Sequence, residues 1–185
     1  MPKSHNKANR LSQTKQVATA HPQRASTILM LGPPTRIIIP SIGVDAVVIN
    51  VGLTTKGALK VPADIAEAGW YQQGPLPGDN GDAVLTGHVV GPTGKLGVFS
   101  QLEKLQPGDT MTVRDAIGNS VSFVVRELHS YNAKDSVPTI FFSSDHQSHL
   151  NIITCSDWDA KQHVYTKRLV IFTDVKRDDK QAIRE

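Results

Sequence analysis

The sequence predicts a mainly β protein, a closed antiparallel barrel of seven to eight strands with short helices. Short runs rich in Ile and Val recur along the chain, and clusters of Gly, Pro, Asn and Asp separate them. The strands and helices do not alternate in the way that indicates a parallel sheet. A closed barrel leaves no strand edge unpaired, so it suits this pattern better than an open sheet does.

Composition divides the 185 residues into three segments. Residues 1–33 are polar, basic and aperiodic, which predicts a disordered tail. Residues 34–176 contain the predicted strands and are long enough for one well-buried domain. Residues 177–185 are charged and predict a frayed C-terminal tail.

The first half of the predicted barrel contains three strands, at 36–40, 44–53 and 83–90. Residues 57–71 predict an extended piece and then a short helical turn, and the Gly- and Pro-rich residues 74–82 predict a loop. Phe99, Leu102 and Leu105 lie three residues apart, as on the apolar face of a short helix.

The second half contains four strands, at 110–115, 120–128, 149–155 and 168–175. The first two alternate apolar and polar residues, and Gly118-Asn119 between them is a strong signal for a hairpin turn. The sequence therefore predicts seven or eight strands in all.

Charge and cysteine content exclude several classes of protein. A net charge of +3, much of it in the first 24 residues, is too weak to indicate nucleic-acid binding. A single cysteine excludes an intramolecular disulfide and a Cys–Cys zinc site. No run reaches the roughly 18 apolar residues that span a membrane, and no secretory signal is visible. We therefore expect either that the protein is not membrane-borne or that a segment before this start has been removed.

Cys155, the one cysteine, follows the branched apolar residues Ile152 and Ile153 and Thr154 at the predicted end of a strand. A thiol becomes a nucleophile as the thiolate, so it needs a base or a cation nearby. Of the seven histidines, His88 is the strongest candidate because it directly follows Gly87 at the predicted end of another strand. Glycine permits close approach of a partner, so the sequence predicts a Cys–His pair.

Arg168 begins the last predicted strand, thirteen residues after Cys155. If 149–155 and 168–175 pair as antiparallel neighbours, its guanidinium lies near the thiol, where it could stabilise a thiolate or an oxyanion. Lys167 is the competing cation, because a register shift of one residue exchanges the two faces of a strand. Arg168 is preferred because its planar fork suits a carbonyl or carboxylate better than an ammonium does.

Three blocks of this sequence resemble the signature blocks of the sortases, the cysteine transpeptidases of bacterial surfaces. They are "AVLTGHV", "NIITCSDWD" and "YTKRLVIFTDV". The resemblance extends from Pro34 to Val175 and is strongest to class F or its neighbour class E. The family pattern Thr-Leu-x-Thr-Cys reads here Asn151-Ile152-Ile153-Thr154-Cys155, with two mild departures on the strand.

The resemblance implies a site and a reaction. Cys155 would attack the Thr-Gly bond of a sorting motif like Leu-Pro-x-Thr-Gly, with His88 as acid and base and Arg168 positioning substrate and intermediate. Thr86 and Thr154 would line the pocket. An amine, such as that of peptidoglycan, would then resolve the thioester. The family also implies an extracytoplasmic location at the cell membrane or wall and a membrane anchor, which this chain does not display.

Three aromatic residues and two acidic stretches are further candidates for the site. Trp158 is expected to contact substrate because it lies three residues after Cys155, whereas Trp70 and Tyr71 are expected to pack in the core. The acidic stretches 79–82 and 157–159 raise the possibility of calcium, but their spacing matches no calcium loop, so we expect no metal and no cofactor. Loops around 129–147 and 156–166 are expected to choose the variable residue of the motif.

Two alternatives remain open at this stage. One is a thiol hydrolase of the same fold, which would release the acyl group to water. The other is a non-catalytic β-barrel binding module with a residual cysteine, whose alkylation would be slow and insensitive to His88→Ala. In the catalytic case the titrations of His88 and Cys155 would be coupled.

Overall fold

The structure is a computed structural model and describes residues 32–176. The predicted tails, residues 1–33 and 177–185, lie outside the described residues except for Gly32 and Pro33, so those two boundaries stay predictions. Eight strands are described: β1 Pro34–Ile39, β2 Val44–Val51, β3 Ala68–Tyr71, β4 Gly81–Thr86, β5 Thr110–Asp115, β6 Ser120–Asn132, β7 Ser148–Asp159 and β8 Val164–Val175.

The strands form one closed barrel in the order β1-β2-β3-β4-β7-β8-β6-β5, and β5 pairs with β1. The predicted closed, mainly β barrel is therefore confirmed. Two neighbouring pairs, β2–β3 and β4–β7, are parallel rather than antiparallel. Parallel neighbours need a long crossover, and residues 52–67 and 87–147 provide the two crossovers.

Helical structure is limited to three short 3-10 helices within residues 32–176, at Pro40–Ile42, Leu102–Lys104 and Pro138–Ile140. The predicted helix over 98–105 is thus reduced to one turn. Its apolar stripe is correct, because Phe99, Leu102 and Leu105 are each only 1% exposed and spacing three matches the 3-10 repeat. No described helix has the length and apolar character needed to cross a bilayer.

The barrel interior is filled by side chains that alternate along the strands. Every strand except β2 contributes at least one side chain with no exposed surface, and the most buried residue of β2, Val48, is 5% exposed. Trp70 is 4% exposed and lies in this core, as predicted, with its indole N–H donated to the Pro75 carbonyl oxygen at 3.2 Å. Because the interior is filled, a functional site must lie at the surface of the barrel, on strand residues and loops.

Candidate active site

A cavity of about 510 Å³ opens beside β4, β7 and β8. Thr86, His88, Thr154, Cys155 and Arg168 all line it, so the structure brings five of the six predicted site residues to one place. The remaining walls come from the connection between β6 and β7, from residues 53–61 of the β2–β3 crossover and from residues 89–90. Residues 137–145 of the β6–β7 connection are called the wall segment below.

Cys155 and Arg168 lie directly opposite each other on β7 and β8. This confirms the predicted antiparallel register, and paired residues of neighbouring strands project from the same face of a sheet. The Arg168 guanidinium Nη1 lies 3.9 Å from the half-buried Cys155 Sγ. The guanidinium is thus placed to stabilise negative charge on the sulfur or on an adjacent oxyanion.

Lys167 lies on the opposite face of β8 from Arg168. Its Nζ contacts the Asp157 carboxylate at 3.3 Å and the residue does not line the cavity. The structure therefore places Arg168, and not its neighbour, at the sulfur.

The expectation that the three reactive residues each end a strand is wrong. Cys155 lies within β7, which continues to Asp159, and Arg168 lies within β8, which starts at Val164. The polar sequence beyond Cys155 still pairs because backbone hydrogen bonds do not require apolar side chains. An edge contact between the rings of Trp158 and Tyr165, 5.0 Å between centroids, stabilises this extension.

His88 lies two residues beyond the end of β4, which ends at Thr86. Its ring is half-buried, and Nε2 lies 2.9 Å from the Pro62 carbonyl oxygen. The preceding Gly87 allows close packing, as expected, but against Phe99 rather than the thiol. A Cβ at residue 87 would lie 2.5 Å from Phe99 Cδ2.

Thr154 and Thr86 border the cavity in different ways from each other. The Thr154 hydroxyl is buried and donates a hydrogen bond of 2.8 Å to the Gly87 carbonyl oxygen. It therefore joins β7 to the residue before His88. Thr86 is also buried, at the last position of β4.

Trp158 does not line the cavity, although Tyr165 beside it does. The Trp158 side chain is half exposed near the turn of the β7–β8 hairpin and also contacts the ring of His163. Tyr165 gave no signal in the sequence, because its approach to Cys155 depends on the extended pairing. Burial, with a contribution from charge at Cys155, raises the pKa of Tyr165.

A buried polar pair that the sequence did not reveal anchors the wall segment. Asp82 on β4 accepts hydrogen bonds from the Ser143 N–H and from the Asn151 amide, the latter at 3.0 Å. The same Asn151 amide donates to the Ile140 carbonyl oxygen at 2.9 Å. Asn151 is one of the departures from the family pattern, and that departure was the available signal. The pair fixes the apolar wall opposite Cys155.

His149 makes a second anchor for the wall segment. Its Nε2 lies 3.0 Å from both carboxylate oxygens of Asp145, and its Nδ1 lies 2.9 Å from Asp174 and 3.1 Å from the Thr173 carbonyl oxygen. Both nitrogens thus face acceptors, which favours the doubly protonated ring. Burial lowers the pKa of His149, but the bonds to Asp145 and Thr173 and the charges of Asp145 and Asp82 outweigh it, so the pKa is raised.

Asp145, the exposed partner of His149, responds in the opposite sense. A hydrogen bond from the Gln147 N–H, followed by the bond from His149, lowers the pKa of Asp145 to about 2. The carboxylate and the imidazolium therefore stabilise each other's charged forms. The result is an ion pair that joins the end of the wall segment to the start of β7.

The sequence of the barrel matches that of a known protein family. Residues 37–176 match the family model described as the Sortase domain. The chain belongs to the sortase family. The predicted resemblance to the sortases is confirmed at the level of the family, a family of transpeptidases.

Solved sortase structures share the fold of this sortase. Sortase C from Clostridium perfringens is 19% identical with a TM-score of 0.58, over 80% of this chain and 73% of that one. Sortase C1 from Streptococcus agalactiae is 23% identical with a TM-score of 0.61, over 78% and 68%. Sortase A from Listeria monocytogenes is 22% identical with a TM-score of 0.58, over 77% and 86%. No curated protein matched the chain.

Proposed function

We propose that this sortase is a transpeptidase that cleaves a Leu-Pro-x-Thr-Gly type sorting motif through a thioester at Cys155 and transfers the acyl group to an amine. The observation that carries the proposal is the placement of Cys155, Arg168 and His88 around one cavity. Thiol, guanidinium and imidazole are the nucleophile, charge stabiliser and acid/base that acyl transfer requires.

The first half of the reaction forms the thioester. Cys155 Sγ attacks the carbonyl carbon of the motif's Thr, and its proton passes to His88. Arg168 donates to the oxyanion of the tetrahedral intermediate, as its 3.9 Å approach to the sulfur allows. The C–N bond then breaks, and His88 returns the proton to the departing Gly amine.

The second half transfers the acyl group to the acceptor. An amine attacks the thioester carbon, gives a proton to His88, and displaces Cys155, which recovers that proton. The apolar wall formed by Ile140, Phe141 and Phe142 supports this path, because an apolar groove disfavours water as the competing acceptor. The amine is proposed to come from peptidoglycan or another component of the cell surface.

Thr86 and Thr154 are proposed to border the bound motif, and Trp158 to contact substrate from outside the cavity at the exposed hairpin. Class F or E remains the proposed subclass. No cofactor is invoked, because the three side chains supply every proton and charge that the reaction needs. The proposed location is extracytoplasmic, at the cell membrane or wall face, with a membrane anchor, and nucleic acid is not a proposed partner.

The decisive experiment incubates the sortase with a quenched Leu-Pro-x-Thr-Gly peptide, with and without an amine acceptor. Intact-protein mass spectrometry is expected to detect an acyl adduct on the wild-type chain and none on Cys155→Ala. With the amine present, the amide product should exceed the hydrolysis product. An adduct that yields only the free acid would identify a thiol hydrolase, and no adduct across a panel of sorting peptides would overturn the proposal.

A further inference from the structure

The contact between His88 and Pro62 fixes where the hydrogen on the imidazole lies. Nε2 is 2.9 Å from the Pro62 carbonyl oxygen, which accepts hydrogen bonds and cannot donate one. Nε2 must therefore carry the N–H, because the opposite tautomer would set two lone pairs against each other. In the neutral ring the second nitrogen, Nδ1, then holds the free lone pair.

Pro62 is held in place by burial and by close packing against β3. It is buried in the crossover between β2 and β3, against the backbone of Gly69. A Cβ at residue 69 would lie 3.1 Å from Pro62 Cδ and 2.7 Å from Val51 Cγ1. Glycine at that position therefore lets the proline ring settle onto β3 with its carbonyl directed toward His88.

The residues after Pro62 continue the same support. The Ile65 carbonyl oxygen accepts a hydrogen bond from the Val98 N–H at 2.8 Å. The Ile65 side chain packs on Gly91, where a Cβ would lie 2.8 Å from Ile65 Cγ2. Residues 62–65 thus contact the loop that carries His88 at three points, His88 itself, Gly91 and Val98.

The backbone of His88 is fixed from the other direction. Its carbonyl oxygen accepts from the Phe99 N–H at 2.9 Å, and the carbonyl of Gly87 accepts from the Thr154 hydroxyl at 2.8 Å. These two bonds hold the main chain. The bond from Nε2 to the Pro62 carbonyl oxygen then restricts the rotation of the imidazole ring.

We propose that Pro62 is a positioning residue of this sortase and that Nδ1 of His88 is the atom that moves protons. This inference rests on the proposed acid/base role of His88. During thioester formation the Cys155 proton passes to Nδ1 and then to the departing amine. During resolution the acceptor's proton passes to Nδ1 and then to the sulfur. The Nε2–H stays on the Pro62 carbonyl throughout and shares the positive charge of the transient imidazolium.

Nuclear magnetic resonance of protein labelled with ¹⁵N-histidine tests the tautomer without any need for activity. At a pH where the imidazoles are neutral, His88 is expected to show one fixed tautomer with hydrogen on Nε2. The exposed His146 and His163, whose rings make no hydrogen bond within residues 32–176, serve as internal references for averaged tautomers. Averaged shifts at His88, or hydrogen on Nδ1, would overturn the inference.

A single-atom change tests the role of the carbonyl in catalysis. Replacing Ala63 by lactic acid turns the Pro62 carbonyl into an ester carbonyl, a weaker acceptor, and leaves every side chain intact. The Ala63 N–H makes no hydrogen bond within residues 32–176, so no donor in use is removed. We expect kcat to fall about three- to tenfold with KM unchanged, because the bond serves the charged ring rather than substrate binding.

Ala116 supplies the matched control. It is exposed like Ala63, and replacing it by lactic acid weakens the Asp115 carbonyl, which accepts the Gly118 N–H in the distant β5–β6 turn. This variant should keep wild-type kcat. Equal kcat values for the two esters would overturn the positioning role. A sortase that forms no thioester at all would instead refute the proposed function, while the tautomer could still be read.

Discussion

The two sides of the cavity hold their reactive groups by different means. On the hairpin side, β7 and β8, Cys155 and Arg168 are direct partners in the antiparallel pairing of the two strands. On the loop side, residues 87–98 with His88 and the wall segment 137–145, the positions depend on a few hydrogen bonds to distant residues. The sulfur and the guanidinium therefore share one rigid frame, whereas the imidazole and the wall segment are positioned by contacts that can be removed one at a time.

The largest expected effect comes from breaking the hairpin side. Arg168→Ala should reduce kcat/KM about 10²- to 10³-fold, the usual loss when one oxyanion donor is removed from a preorganised site. Arg168→Lys should recover little of it, because an ammonium lacks the planar fork. Steady-state kinetics with the quenched sorting peptide measure both.

Lys167→Ala is the control for this experiment, since it removes a cation from the next residue on the opposite face. Its exposed contact with Asp157 contributes little to stability. A loss of kcat/KM as large as that of Arg168→Ala would show that net charge matters and that the guanidinium beside Cys155 does not.

The second prediction breaks the loop side at its buried anchor. Asp82→Ala leaves the Ser143 N–H and the Asn151 amide without their acceptor, which should reduce the free energy of unfolding by about 2–3 kcal/mol. Because the wall segment is then less well held, KM should rise more than kcat falls. Denaturant unfolding and peptide kinetics give the two values.

Asp79→Ala is the matched control in the preceding loop, because the Asp79 carboxylate makes no hydrogen bond within residues 32–176. It should leave unfolding and KM near the wild-type values. A stable Asp82→Ala protein with unchanged KM would mean that the wall segment is held by its apolar packing alone.

The sequence predicts the hairpin side far better than the loop side, and the reason is physical. Strand pairing has a fixed period, so the apolar runs before Cys155 and after Arg168 determine which residues face each other. The prediction failed only in the strand lengths, where Trp158 and Tyr165 extend the pairing past the polar boundary. The order of apolar and polar residues along the chain does not show which aromatic residues will contact each other across two strands.

The loop side depends on contacts that no local pattern encodes. The bond from His88 to Pro62 joins residues 26 positions apart, and the bond from Asp82 to Asn151 joins residues 69 apart. Asp82, read alone at the end of the predicted loop 74–82, resembles a solvated loop residue. The departure at Asn151 from the family pattern was a usable signal, because an amide inside a buried strand needs partners.

The third prediction compares two buried hydroxyls with the same bonding and different neighbours. Thr154 donates to the Gly87 carbonyl beside His88, and Thr173 donates to the Leu150 carbonyl at 2.7 Å, away from the cavity. Replacement of either threonine by valine should reduce the free energy of unfolding by about 1–2 kcal/mol. Only Thr154→Val should also reduce kcat, by about tenfold. Equal kcat values for the two variants would mean that the hydrogen bond from Thr154 to Gly87 does not position His88.

The smallest expected effect is the pH dependence of the ion pair that closes the wall segment. The pKa of His149 is raised above its ordinary value of 6.5, so its contribution to stability is complete below that pH and is lost as pH rises through the folded value. The pKa of Asp145 is lowered from 3.8 to about 2, so its contribution is complete above 3.8 and is lost as pH falls through 2.

The pair therefore stabilises the fold fully between about pH 3.8 and 6.5. Strand pairing does not titrate, so a change of stability outside this range reports the ion pair. Denaturant unfolding should show wild-type stability declining above pH 6.5 relative to Asp145→Asn, in which the carboxylate that raises the pKa of His149 is neutralised. If the free energies of unfolding of the two proteins change with pH in parallel, the groups that titrate lie outside the pair of His149 and Asp145. If the stability advantage of the wild type over Asp145→Asn instead shrinks above pH 6.5, the titrating group is the ion pair at the start of β7. This pair lies on the boundary between the two sides of the cavity.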